Sequence, residues 1–151
     1  EKLSAVLISK IGEIFSNAFT HGRSEIGVFC CGFINDSNQF TFSVYDAGVG
    51  IPYNVSQYLG SEISPQDALK WAFEQGNSTL NGQLDYPRGA GLNLLESFVR
   101  VNGGRIELVS CGGYCRIENN QREFSNLKSP FVGTMFSMTI VADNNHIYRL
   151  K

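Results

Sequence analysis

Apolar residues recur at helical spacing through Leu3, Leu7, Ile11, Ile14 and Ala18, which predicts a helix from Leu3 to Thr20 that ends near Gly22. The period then changes. Ile26 to Ile34 is apolar and rich in branched and aromatic side chains, so a strand is expected there, followed by an Asn35–Asn38 turn cluster. Gln39 to Asp46 alternates, with Phe40, Phe42 and Val44 facing one way and Thr41, Ser43 and Tyr45 the other, and the two strands should form an antiparallel hairpin. Pro52 to Arg88 is a long connection, expected to hold one helix. Ser64 is a good N-cap, Pro65 a good first residue and Asp67 a capping-box partner; Ala68, Leu69, Trp71, Ala72 and Phe73 supply an apolar side, and Gly76 ends the helix. Connections of this length are commonly functional or mobile, so residues 52–88 read as a lid. A further helix is expected over Leu92–Val101, then a hairpin of Arg105–Ser110 with Tyr114–Glu118. Asn119–Pro130 reads as a polar loop, Phe131–Ala142 as a final strand, and the last nine residues as peripheral. The order of elements predicts a single α+β (α/β) domain over residues 1–151, with no internal repeat.

Composition narrows this only a little. A chain of 151 residues, 42% hydrophobic and 17% charged, can bury a real core. Its net charge of -2 gives no reason to expect nucleic acid or an anionic membrane. No apolar run reaches the ~18 residues of a membrane span, and no signal-peptide pattern is seen. A cytoplasmic domain without direct membrane contact is expected. Because the chain opens on Glu, it is expected to be a processed or excised segment, and a membrane-bound parent stays open. Cys30, Cys31, Cys111 and Cys115 match no usual zinc spacing and are expected to be reduced thiols; the Cys30/Cys31 pair reads as apolar strand filling.

Candidate chemistry lies at three places. In Ile11–His21, IGEIFSNAFTH, the residues Glu13, Asn17 and His21 fall at i, i+4 and i+8 and line one side of the helix, at the flank of its apolar stripe. Such a ladder overlooks a cleft. Glu can act as a base, and the Asn amide oxygen is a hard ligand suited to Mg²⁺; a solvated face with a capping His is the alternative. Asp46 shares parity with Phe40, Phe42 and Val44 and so points towards the helix-covered face, where an ionised carboxylate needs hydrogen-bond donors. It is followed by Gly48 and Gly50, which would let a flat ligand lie against the backbone, or which form a plain turn with an Asx cap. Finally Arg88-Gly89-Ala90-Gly91 leads into a helix, an arrangement suited to an anion, although it is neither a phosphate-binding loop of the G-x₄-G-K-[ST] kind nor a dinucleotide fingerprint.

Taken in order, these motifs resemble those of the GHKL nucleotide-binding superfamily, which joins gyrase, the ninety-kilodalton heat-shock chaperone, histidine kinases and mismatch-repair clamps. Glu13-x₃-Asn17-x₃-His21 is similar to its N box, Asp46-Ala47-Gly48-Val49-Gly50 to its first glycine box, Gly89-Ala90-Gly91-Leu92 to its second, and Gly133-Thr134 to its closing Gly-Thr. The resemblance implies a Bergerat fold: a two-layer sandwich of a mixed, mainly antiparallel sheet with helices on one face and ATP between. It also implies roles. Asp46 would accept from the adenine amine, Asn17 would hold Mg²⁺ on the phosphates, and Glu13 would be the base. Gly48 and Gly50, with Ile51 beside them, would admit the adenine end. Gly89, Ala90, Gly91 and Leu92 would supply the hinge and phosphate amides of the lid, Thr134 would reach the adenine side, and His21 and Arg88 would stand near the phosphates. An F box of the sensor-kinase type is not clear; Trp71 and Phe73 are its candidates. The segment Ser64–Leu92 looks more like small stand-alone bacterial ATP-binding proteins related to anti-sigma serine kinases, which act with STAS-like partners. The resemblance therefore implies either transfer of the γ-phosphate to a protein phospho-acceptor in bacterial signalling, or an ATP-dependent switch that grips a regulator, or a slow ATPase.

Overall fold

The computed structural model describes residues 2–74 and 91–142. Ten elements follow one another: α1 (Lys2–Gly22), β1 (Val28–Ile34), β2 (Gln39–Asp46), α2 (Gly50–Leu59), α3 (Pro65–Ala72), α4 (Gly91–Asn102), β3 (Arg105–Ser110), β4 (Gly113–Glu118), β5 (Gln121–Asn126) and β6 (Thr134–Val141). The strands form one six-stranded sheet in the order β1-β2-β6-β3-β4-β5. All five pairings are antiparallel, where a mixed sheet was expected. The final strand is inserted between the two hairpins, so Asp46 pairs with Thr134 and Thr134 with Ser110 across three neighbouring strands.

The core lies between one face of the sheet and the helices. Ile14 and Ala18 of α1, Leu69 of α3 and Leu95, Phe98 and Val99 of α4 meet Val44, Ile106, Leu108, Ile117, Phe136 and Met138 of the sheet. The alternation expected for β2 holds: Val44 is 2% exposed, and the Phe42 ring packs against Phe15 at 5.7 Å. Ser64 caps α3 through its side chain, accepting from Asp67 N–H at 3.1 Å. At the far edge, Glu96 of α4 is 4% exposed and takes both nitrogens of the Arg122 fork at 2.6 Å, with Arg100 at 2.7 Å. A buried carboxylate shared by two guanidiniums fastens α4 to β5.

Further expectations are corrected. The expected first strand starts two residues late, at Val28, because Gly27 turns the chain with φ +86°. The connection from Pro52 to Arg88 holds two helices in its described part, not one. Pro52 sits in the first turn of α2, where a missing N–H costs nothing. Nor is that part a loose lid. Val55, Leu69 and Phe73 are at most 1% exposed, and Tyr58 packs on Trp71 at 5.5 Å, so α2 and α3 belong to the core. The remainder of the lid expectation, like the peripheral C-terminal residues, lies outside the described residues. Asn119–Pro130 is not all loop. Asn119 and Asn120 take positive φ, +50° and +63°, as a two-residue hairpin turn, and Gln121–Asn126 adds β5 to β4. Lastly, Cys30 and Cys31 do not fill a packed strand, since both are exposed.

Candidate functional site

The site forms where the C-terminal end of α1 meets the ends of β2, β3 and β6. Asp46 closes β2 on the helix side, as its parity predicts, and is 3% exposed. Its Oδ1 accepts the Gly48 N–H at 3.0 Å. Among the described residues no hydrogen bond reaches the second oxygen. Burial pushes the carboxyl above its usual 3.8, and the Gly48 N–H works in the opposite direction. This is a buried carboxylate with acceptor capacity to spare.

Close backbone packing places it. The Val49 N–H donates to the Gly22 carbonyl at 2.8 Å, which joins the last turn of α1 to the glycine loop. A Cβ on Gly48 would collide with that same carbonyl, so no other residue fits at position 48. Gly133 has φ +79°, and a Cβ there would strike the Asp46 carbonyl oxygen. The first glycine motif and the closing Gly133-Thr134 thus pack directly around Asp46.

Ser110 and Cys111 stand behind this loop, and neither was expected there. Ser110 is fully buried. Its Oγ accepts the Ile51 N–H at 2.8 Å, lies 2.9 Å from Thr134 Oγ1 and donates to the Gly133 carbonyl at 3.4 Å. One hydroxyl therefore serves the first turn of α2, the start of β6 and the Gly133 turn, which uses its full capacity of two acceptances and one donation. The Cys111 thiol, with one proton to donate, lies 3.4 Å from the Val49 carbonyl oxygen and 3.7 Å from that of Gly133. Ile51 and Ser110 are 59 positions apart, so no local pattern could reveal this bond.

The ladder of α1 leads towards the same end of the sheet. Asn17 and His21 are half-buried, and the His21 carbonyl accepts Asn54 Nδ2 of α2 at 3.1 Å. Glu13 is also half-buried, and Lys10 Nζ holds its Oε2 at 2.9 Å. Nine residues separate Glu13 from Gly22, so the ladder extends about 13 Å from the Asp46 end. Gly91 opens α4, and Leu92 packs against the core from the first turn. Arg88, Gly89 and Ala90 lie outside the described residues. The structure therefore brings together Asp46, Gly48, Gly50, Ile51 and Thr134 with the end of the helix that carries Glu13, Asn17 and His21.

Among the described residues there is no group of three or more His, Cys, Asp or Glu side chains that could hold a metal, and no helix long and apolar enough to cross a membrane. The chain matches no protein-family model, and no curated protein sequence matches it. Fold and site define an α+β domain with a buried carboxylate, Asp46, beside the C-terminal end of α1.

Proposed function

We propose that this is a Mg-ATP-binding domain of the GHKL kind, built on the Bergerat fold, that transfers the γ-phosphate to a protein acceptor in bacterial signalling in the cytoplasm. The observation that carries the reading is Asp46: a carboxylate 3% exposed, braced by the Gly48 N–H and ringed by glycines that admit no side chain. A flat base bearing an exocyclic amine suits the spare acceptor and the bare backbone beside it. The polar ladder then runs on for about 13 Å, the direction in which an elongated nucleotide would extend.

Asn17, half-buried on α1, would offer the implied Mg²⁺ one amide oxygen, and the ion would neutralise phosphate charge when bound. Glu13 accepts the proton of the attacking group, and Asp46 fixes the base end of the nucleotide. The STAS-like regulator implied by the sequence resemblance is the partner class to test first.

A second reading is supported by the Lys10–Glu13 ion pair at 2.9 Å. One carboxylate oxygen of Glu13 is thus already engaged by a side chain of its own helix, which favours a non-catalytic switch that binds ATP and grips a regulator.

Calorimetric titration of ATP, with and without Mg²⁺, tests the first reading. Binding should be lost in Asp46→Asn, while Asn17→Ala should lose only its Mg²⁺ dependence. Absence of ATP and ADP binding in the unaltered chain would sink both readings. Phosphoryl transfer that survives Glu13→Gln would remove Glu13 as the base, whereas ATP binding without any transfer by the unaltered chain would leave the switch reading standing.

A further inference from the structure

β1 is an edge strand, and among the described residues no strand pairs with its outer side. The Asn35 N–H donates to the Gln39 carbonyl at 3.0 Å across the hairpin turn. Alternation along the ladder then gives the bonds with β2 to Phe33, Cys31 and Phe29. The N–H and C=O groups of Val28, Cys30, Gly32 and Ile34 point outwards along the open edge. Strand edges are normally blunted by charge, proline or a bulge. Residues 28–34, VFCCGFI, contain neither charge nor proline and pair with β2 in unbroken register.

The surroundings are equally apolar. Phe29 is 52% exposed, Phe33 55% and Ile34 63%. On α1, Ile8 and Phe19 are 69% and 66% exposed. At 100° per residue they stand about 20° apart, next to Phe15, whose ring rests on Phe42 of β2. Glu13, Asn17 and His21 fall on the other side of buried Ile14, so the apolar flank of α1 is turned away from the cleft.

We infer that this surface joins two copies of the chain, β1 pairing antiparallel with its counterpart about a two-fold axis at Cys31. The strand itself argues for a second copy as the occupant. It has seven residues, and Cys31 is its centre. In that register Val28 faces Ile34, Phe29 faces Phe33 and Cys30 faces Gly32 of the other copy. Each outward N–H and C=O then meets an outward group, and the aromatic rings fall in non-bonded pairs, where side chains approach closest. The two sheets become one continuous sheet without an open edge at its middle. With rings of about 200 Å² each, Phe19, Phe29 and Phe33 alone offer about 350 Å². Ile8, Ile26 and Ile34 and the strand backbone bring this to roughly the 800 Å² per partner of a stable interface. Phe29 and Phe33 lie on the sheet face turned away from the helices and Ile8 and Phe19 on the helix side, so the apolar surface flanks the open edge from both faces.

The register has a chemical signature. Cys31 would face its own copy in a non-bonded pair with Cα atoms about 4.5 Å apart, within disulfide reach. Sedimentation equilibrium of the full chain should give twice its mass of 16.7 kDa. Phe33→Lys, and Cys30→Pro, which removes one outward N–H and no bond to β2, should each weaken the dimer at least tenfold with the circular dichroism unchanged. Diamide oxidation should trap a reducible dimer in the unaltered chain and in Cys30→Ser, and none in Cys31→Ser. A monomer at concentrations on the order of 100 μM overturns the proposal. So does a crosslink that survives Cys31→Ser, or a dimer indifferent to Phe33→Lys. The oxidation experiment on the unaltered chain reads the pairing even where a variant fails to fold.

Discussion

Ser110 is the hinge of the candidate site, and Ser110→Ala tests that role. The change removes one oxygen at a fully buried position. The Ile51 N–H, in the first turn of α2, then loses its acceptor at 2.8 Å, and no side chain from Val49 caps that helix. A buried donor left unsatisfied costs about 1–3 kcal/mol, and loss of a helix cap falls in the same range, so about 2 kcal/mol is expected. The Thr134 hydroxyl, only half-buried, can turn to solvent and adds little. That loss is roughly a thirtyfold change in the folding equilibrium, or about 4–8 °C in Tm for a domain of this size. Urea unfolding is the assay, followed by far-UV circular dichroism and by the single tryptophan. Trp71 rests on Tyr58 of α2 at 5.5 Å, so its emission reports the packing that Ser110 supports. Thr134→Val is the control: it keeps the Ile51 acceptor and should cost under about 1 kcal/mol. If Ser110→Ala unfolds within about 0.5 kcal/mol of the unaltered protein, or if Thr134→Val costs more, the serine is not what holds α2 to the glycine loop.

Other outcomes follow from the same geometry. Burial raises the Asp46 pKa above 3.8, so its contribution favours the fold below that unfolded value and is lost as pH rises through the folded one. Asp46→Asn should therefore gain stability relative to the unaltered protein from pH 3.8 upwards while losing ATP binding; a difference in urea midpoint that stays flat or shrinks with pH contradicts this. Gly133→Ala combines a strained φ of +79° with a clash on the Asp46 carbonyl and should cost at least about 2 kcal/mol, with ATP affinity falling alongside; an unchanged denaturation midpoint would show that the turn yields freely. Phe73→Ala, at 1% exposure, should cost about 3–5 kcal/mol, whereas a loose lid residue would cost under about 0.5, and thermal unfolding separates the two.

The elements readable from sequence were those whose cause is local. The period of α1, the alternation of β2 and the Ser64 cap of α3 depend on neighbours within a few residues, and each stands where expected. Parity alone turned Asp46 inward, because a strand side chain has only two faces to choose from. Sequence could not place β5: QREFSN has no alternating pattern, and it becomes a strand because β4 offers it an edge and Glu96 anchors Arg122. Nor could it place α2, whose first turn is satisfied by a serine 59 positions away. The exposed Cys30 and Cys31 are the same case. An apolar run reads as core, and only the order of the strands shows that this one lies at the edge of the described sheet. Period and capping act along the chain, whereas strand order and buried hydrogen bonds are contracts between distant residues that exist only once the chain has folded.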